Sequence, residues 1–158
     1  MALTVTFGEN QDENKVFEIL TEYEMGVPGE IDEVMVVKGE QGILGGAKIS
    51  EFAEGRFFLE VIGVRSDVRS QGVGGFLLSH ILKNPWECSK YPLSEQKNLK
   101  EYTVSTLARG YALGFYQKMG FEPCNLEDIP EWCRDQCEEC PHCEVCKPVP
   151  MYYIGGKE

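Results

Sequence analysis

The sequence predicts a single α/β (α+β) domain over residues 1–158, one mixed central sheet with helices on both faces. Three observations carry this reading. Strand-like segments fill the first part of the chain, and the pattern then alternates helix, strand and helix before strands return. A glycine-bearing turn joins the last of the early strands to a helix of regular apolar spacing. The length, 158 residues with 42% apolar, suffices for one compact core.

Residues 3–7 alternate Leu, Val and Phe with Thr and read as the first strand. Asn10, with Glu13 three residues later, is expected to cap a helix carrying Val16, Phe17, Ile19, Leu20 and Tyr23. Pro28-Gly29 breaks it. Residues 33–38, 42–52 and 56–64 are three strand-like runs joined by turns at Gly39, Gln41-Gly42 and Glu54-Gly55, an antiparallel meander. A second helix starts near Gly72 and runs to Asn84-Pro85. Its apolar face is expected at Val73, Phe76, Leu77, His80 and Ile81, spaced i, i+3, i+4, i+7 and i+8. Residues 86–100 are a polar connection with a further X-Pro at Tyr91-Pro92. A strand at 102–106, a helix near 110–119, a short strand after Gly120 and a last strand at 150–154 complete the core. A Cys-rich insert at about 124–148 precedes that last strand, and there are no repeats or low-complexity tracts.

The junction at residues 61–78 carries the chemistry. A strand ends at Val64, and Arg69-Ser70-Gln71-Gly72-Val73-Gly74 opens the helix. The first N–H groups of a helix lack internal partners, and the macrodipole adds positive character there. Glycines at 72, 74 and 75 remove the Cβ atoms that would keep a phosphate away. The nucleotide P-loop is excluded, because Gly75 is followed by Phe76 and not by Lys-Ser or Lys-Thr. The dinucleotide fingerprint is excluded because Leu77 stands where its last glycine belongs.

What fits is R-x-x-G-x-G, which resembles the pyrophosphate loop of the GNAT family of N-acetyltransferases. A second block strengthens the resemblance. Val104-Ser105-Thr106-Leu107-Ala108, followed by residues 111–121 with Phe115-Tyr116 and Gly120-Phe121, is similar to the strand, helix and F-Y-x-x-x-G-F signature near the end of that fold. The two blocks stand in the family's order, and the resemblance covers roughly residues 3–121 plus the final strand. It implies the GNAT fold, with a splay between the fourth and fifth strands and Gly63 at the fourth-strand bulge. It also implies acetyl-CoA as co-substrate. Backbone groups of Gln71, Gly72, Val73, Gly74 and Gly75 would meet the pyrophosphate, with side-chain help from Arg69 or Gln71. The pantetheine arm would pair like an added strand with Ile62 and Val64. Tyr116 takes the general acid's place, and the implied reaction is direct attack of a primary amine on acetyl-CoA.

A base must relieve the amine of a proton. Glu60 stands in a run otherwise made of Phe57, Phe58, Leu59, Val61 and Ile62, which makes it the candidate if it is partly buried. The other reading is an outward-facing residue of an alternating strand. Thr106 and His80 are further candidates, His80 as a residue of the helix's apolar face.

A net charge of −11 argues against nucleic acid as partner and suits a cationic acceptor, a small molecule or a peptide amine. No apolar run approaches a membrane span, and no basic region precedes an apolar stretch at the N-terminus, so a cytoplasmic protein with no membrane partner is expected. A homodimer is compatible with these features. Five of seven cysteines, Cys133, Cys137, Cys140, Cys143 and Cys146, crowd into fourteen residues of the insert with His142 among them. The C-x3-C-x2-C-x2-C-x2-C spacing suits four thiolates around one structural zinc. An iron–sulfur cluster is the runner-up, although the ferredoxin run has three residues before its last cysteine and proline directly after it. The alternative function is a metal-stabilised CoA-binding or redox/sensor module built on that cluster.

Overall fold

The computed structural model describes residues 2–22, 29–69, 71–95, 101–108, 112–133 and 148–156. Its elements are β1 (Thr4–Phe7), α1 (Glu13–Thr21), β2 (Met35–Gly39), β3 (Gly42–Ala53), β4 (Arg56–Val64), α2 (Val73–Lys83), α3 (Pro85–Cys88), β5 (Tyr102–Ala108), α4 (Leu113–Lys118), β6 (Glu122–Pro123) and β7 (Val149–Gly155). Among the described residues the strands follow the order β1-β2-β3-β4-β5-β7-β6 in one seven-stranded sheet. The sheet is mixed, as predicted: β4 and β5 pair in parallel, while β1–β2, β2–β3, β5–β7 and β6–β7 pair antiparallel. The chain divides into two compact units, Met1–Ser50 with Leu59–Pro92, and Glu51–Phe58 with Leu93–Glu158.

In the first unit, Val16 and Leu20 of α1 bury against Ile31, Val34 and Val36, with Ile43 and Val61 packed on this cluster. The helix begins differently from the expectation. Glu9 and Asp12, not Asn10 and Glu13, form the capping box, around a 3-10 turn at Asn10–Asp12. Asp12 is buried, accepts the Glu9 N–H at 2.9 Å and pairs with Lys38 Nζ at 3.2 Å. A carboxylate so placed completes the orphan donors of the turn and is neutralised at the same time. Phe17 was expected on the apolar face but is 54% exposed, since i+1 from Val16 turns it away from the core. Tyr23 lies outside the described residues.

Residues 31–33, partly assigned to a strand by the sequence, form a second 3-10 turn whose Glu30–Glu33 capping box precedes β2. The β2–β3 register shifts between Val37 and Lys38, an irregularity the alternation did not reveal. Helix α2 also departs from its predicted face. Val73, Leu77, Leu78, Ile81 and Leu82 are buried, while Phe76 is exposed and His80 half-buried. The seam follows i, i+4, i+8 with its i+5 companions, so the helix is rolled by about one position. Helix α2 ends at Lys83 with Asn84 as its C-cap, as expected, and Pro85 starts a further short helix, α3, at the N1 place that proline tolerates. Trp86 and Cys88 are buried there, which corrects the expectation of a polar connection from residue 86. Burial, aided by Glu87, pushes the Cys88 thiol up to about 12.

In the second unit, Arg56, Phe57 and Phe58 of β4 pair with Thr103, Val104 and Ser105 of β5. The Ser105 hydroxyl donates to the Phe57 carbonyl at 3.2 Å. β5 then pairs along its whole length with β7, from Tyr102 opposite Gly155 to Ala108 opposite Val149. A Cβ at Gly155 would run into the Tyr102 ring, so glycine is required at that crossing. Among the described residues, no helix is long and apolar enough to cross a membrane.

Glu51 ties two separate stretches of this unit together. Its buried carboxylate accepts N–H groups from Gly55 (2.7 Å), Leu93 (2.5 Å) and Ser94 (2.9 Å), and also the Ser94 hydroxyl. One side chain thereby holds the β3–β4 hairpin and the connection that follows Pro92. Glu51→Ala would leave those donors without their acceptor. We expect it to destabilise the protein by roughly 3 kcal/mol, read as a lowered urea midpoint, with Glu51→Gln costing about half as much.

Candidate functional site

The strand-to-helix junction is built from short-range bonds of the first unit. After Val64, the Arg65 N–H donates to the Leu44 carbonyl at 2.8 Å, and a 3-10 turn follows at Ser66–Val68. Arg65 forks onto Asp67, with Nε to Oδ1 at 3.0 Å and a second contact from its terminal nitrogen to Oδ2. Val68 is buried and anchors the turn, and the Gln71 amide reaches the Asp67 carbonyl at 3.5 Å. Gly72 is the N-cap of α2 with φ +84°, a left-handed conformation. Phe76 N–H makes the first helical bond, to Gly72 O at 2.9 Å, so the N–H groups of Val73, Gly74 and Gly75 precede the ladder. The first turn carries no acidic residue, and His80 and Lys83 stand in the last turn, an arrangement that matches the macrodipole.

The expected loop residues lie at this junction, in different degrees of exposure. Arg69, Gln71 and Gly72 are exposed, Gly74 and Gly75 half-buried, and Val73 buries its side chain while offering its backbone. Ser70 lies outside the described residues. Ile62 and Val64 are half-buried on β4. Across from them, a Cβ at Gly45 would come 2.6 Å from the Gly63 carbonyl and 2.8 Å from a Val64 methyl. Glycine at 45 therefore lets β3 lie close against the end of β4, a requirement the sequence alone did not signal.

Glu60 is neither buried alone nor pointed freely outward. Its side chain is 12% exposed and pairs at 3.3 Å with Lys48 Nζ, itself 13% exposed. Lys48 also lies 3.9 Å from Glu33 Oε1. Glu33 in turn accepts the Glu30 N–H at 2.6 Å. Lys48 and Glu33 escaped the sequence reading. The signal was present in Lys48, a lone charge between Ala47 and Ile49, by the same logic that singled out Glu60.

Tyr116 lies in the second unit, on α4. It is 6% exposed, its ring edge-on to Phe115 (5.3 Å) and Phe121 (5.2 Å). Gly120, at φ +95°, ends the helix in left-handed geometry, and Phe121 N–H returns to the Tyr116 carbonyl at 3.0 Å. That closure explains the Tyr-x-x-x-Gly-Phe spacing: it packs the Phe onto the Tyr ring and leaves the phenol oriented by two aromatic neighbours. Thr106 is buried on β5 in the same unit.

Of the cysteine run only Cys133 is described. It is half-buried, next to Trp132, whose ring stands edge-on to Phe58 at 5.7 Å. Cys137, Cys140, Cys143, Cys146 and His142 lie outside the described residues, and no metal-binding group occurs among the described ones. Cys124, pushed up to about 11 by burial and Asp128 against the opposing Arg56, is not in thiolate form at neutral pH.

Known proteins resemble this chain in family and in fold. The family model described as an acetyltransferase (GNAT) domain matches residues 30–123, more than half of the chain. None of the curated proteins matches in sequence. Among solved structures, N-acetylglutamate synthase from Neisseria gonorrhoeae, complexed with coenzyme A and N-acetyl-glutamate, superposes with a TM-score of 0.73 at 13% identity over 98% of this chain. This chain spans only 35% of that one. Ard1 from Thermoplasma volcanium gives a TM-score of 0.64 at 16% identity, with 98% of both chains covered. The ribosomal-protein-S18-alanine N-acetyltransferase from Escherichia coli gives 0.65 at 15% identity, covering 99% of this chain and 96% of the other. At such identities the likeness is one of fold.

Proposed function

Because this chain belongs to the GNAT acetyltransferase family and is on that ground an acyltransferase, we propose that it moves the acetyl group of acetyl-CoA directly to a primary amine. The observation that carries the reading is the Gly72-capped start of α2, where three N–H groups precede the helical ladder behind a turn with no acidic residue in the helix's first turn. The pyrophosphate would sit on Gln71, Gly72, Val73, Gly74 and Gly75, with Arg69 beside it. The pantetheine arm would run along Ile62 and Val64.

In this reading a neutral amine attacks the thioester carbonyl, and the tetrahedral adduct collapses with cleavage of the C–S bond. Glu60 first takes a proton from the ammonium form of the acceptor, the Tyr116 hydroxyl gives its proton to the departing thiolate, and the proton that the new amide nitrogen must lose returns to the Tyr116 oxygen. The synthase is complexed with N-acetyl-glutamate, and the ribosomal enzyme is named for an alanine of a protein. Both names put an acetyl group on an amino-acid nitrogen, which supports an amine acceptor here, with the net charge of −11 favouring a cationic one. We place the activity in the cytoplasm, where thiols stay reduced. There the run Cys133 to Cys146 is proposed to hold one structural zinc through four of its five sulfurs, on the strength of its spacing.

A screen of amines with acetyl-CoA, following released thiol, tests the function. Amine-dependent release is expected, and release independent of every amine would overturn it. Gly72→Asp or Gly74→Asp should abolish measurable CoA binding in calorimetry while the protein stays folded, since each adds bulk and negative charge at the anion site. Tyr116→Phe should lower turnover about a hundredfold with little change in CoA affinity. Elemental analysis of untagged protein should find one zinc per chain, and its removal by chelation should spare CoA binding. Iron with acid-labile sulfide would replace zinc by a cluster.

A further inference from the structure

We propose that Lys48 is a positioning residue for proton transfer at Glu60, an inference that rests on the reading of Glu60 as the base. Three elements converge on the Lys48 ammonium: β3 supplies the lysine, β4 supplies Glu60 at 3.3 Å, and the 3-10 turn before β2 supplies Glu33 at 3.9 Å. All three side chains are at least four-fifths buried, with exposures of 13%, 12% and 19%. Glu33 cannot swing away, because its other oxygen is tied to the Glu30 N–H at 2.6 Å. The backbone also closes over the cluster. A Cβ at Gly29, where φ is +72°, would lie 2.5 Å from Glu33 Oε2 and 3.0 Å from Lys48 Nζ.

An ammonium has three donors and can hold two carboxylates at once. A lone glutamate on a strand samples several rotamers, whereas a base must stay within hydrogen-bond reach of the proton it removes. Lys48, itself braced by Glu33, confines the Glu60 carboxylate. In the step served, an N–H bond of the acceptor's ammonium breaks before attack, an O–H bond forms on Glu60, the electron pair stays on nitrogen as the nucleophile, and Lys48 keeps its own protons. The three side chains carry a formal charge of −1, so the cluster favours a cationic acceptor over an anionic one.

The test compares two acceptors with acetyl-CoA in the full-length protein. Ethylamine is almost wholly protonated near neutral pH and needs a base, whereas 2,2,2-trifluoroethylamine is largely neutral there and needs it far less. Lys48→Met should lower kcat with ethylamine about tenfold but with trifluoroethylamine less than twofold, leaving KM for acetyl-CoA unchanged. Lys48→Arg should recover most of the loss. Glu33→Gln should give the same pattern at about threefold, which keeps the test decisive if Lys48→Met does not fold. Equal losses with both amines, or none with ethylamine, would overturn the positioning role. A silent Glu60→Gln would instead remove Glu60 as base and this role with it. Failure of the wild type to acetylate any amine would count against the acetyl-transfer reading itself.

Discussion

Gly72 holds φ +84° at the N-cap of α2, and on that one dihedral depend both the direction of the helix and the exposure of its first amides. A Cβ there would meet open space, so the demand for glycine comes from the backbone itself and not from crowding. A left-handed residue lets the chain leave the turn at Ser66–Val68 and enter α2 within a few residues. Val68 anchors one side of that bend and Val73 the other, both in the core. The exposed polar groups between them are thus held on a rigid frame, as a site for a charged ligand requires.

The close approach of β3 to the end of β4 belongs to the same design. Gly45 brings the third strand against Gly63 and Val64, and the Arg65 N–H is bonded to Leu44 directly beyond. The end of β4 is fixed by backbone bonds before the turn begins. Its half-buried residues Ile62 and Val64 therefore offer a surface whose shape owes little to their own side chains.

Much of this was legible in the residues because it is written in backbone constraints. Glycine at 72 and 120, alternation in β1 and the spacing of α2 all act locally, and each element appeared within a few residues of its expected place. What failed depended on tertiary surroundings. Phe76 and His80 satisfy helical spacing as well as Leu78 and Leu82 do, and only the packing against the rest of the unit decides between them. Glu9 and Asp12 take the places expected for Asn10 and Glu13 in the capping box, where Lys38, distant in sequence, pairs with the buried Asp12 carboxylate. Glu60 and Lys48 are each conspicuous as a lone charge in an apolar run, but that they pair follows only once β3 and β4 are placed. Glu51 gave no warning at all, since its four donors come from two separate turns.

Among the described residues the sheet's order ends at β6, which is two residues long, Glu122 and Pro123, both exposed. Proline offers no N–H to an incoming strand, and a charged neighbour makes a dry ladder costly. Those two residues are a poor template for strand addition by another chain. The protein is thereby protected at this edge from the self-association that open sheets invite when crowded, and it gains this from two surface residues that do nothing for the core.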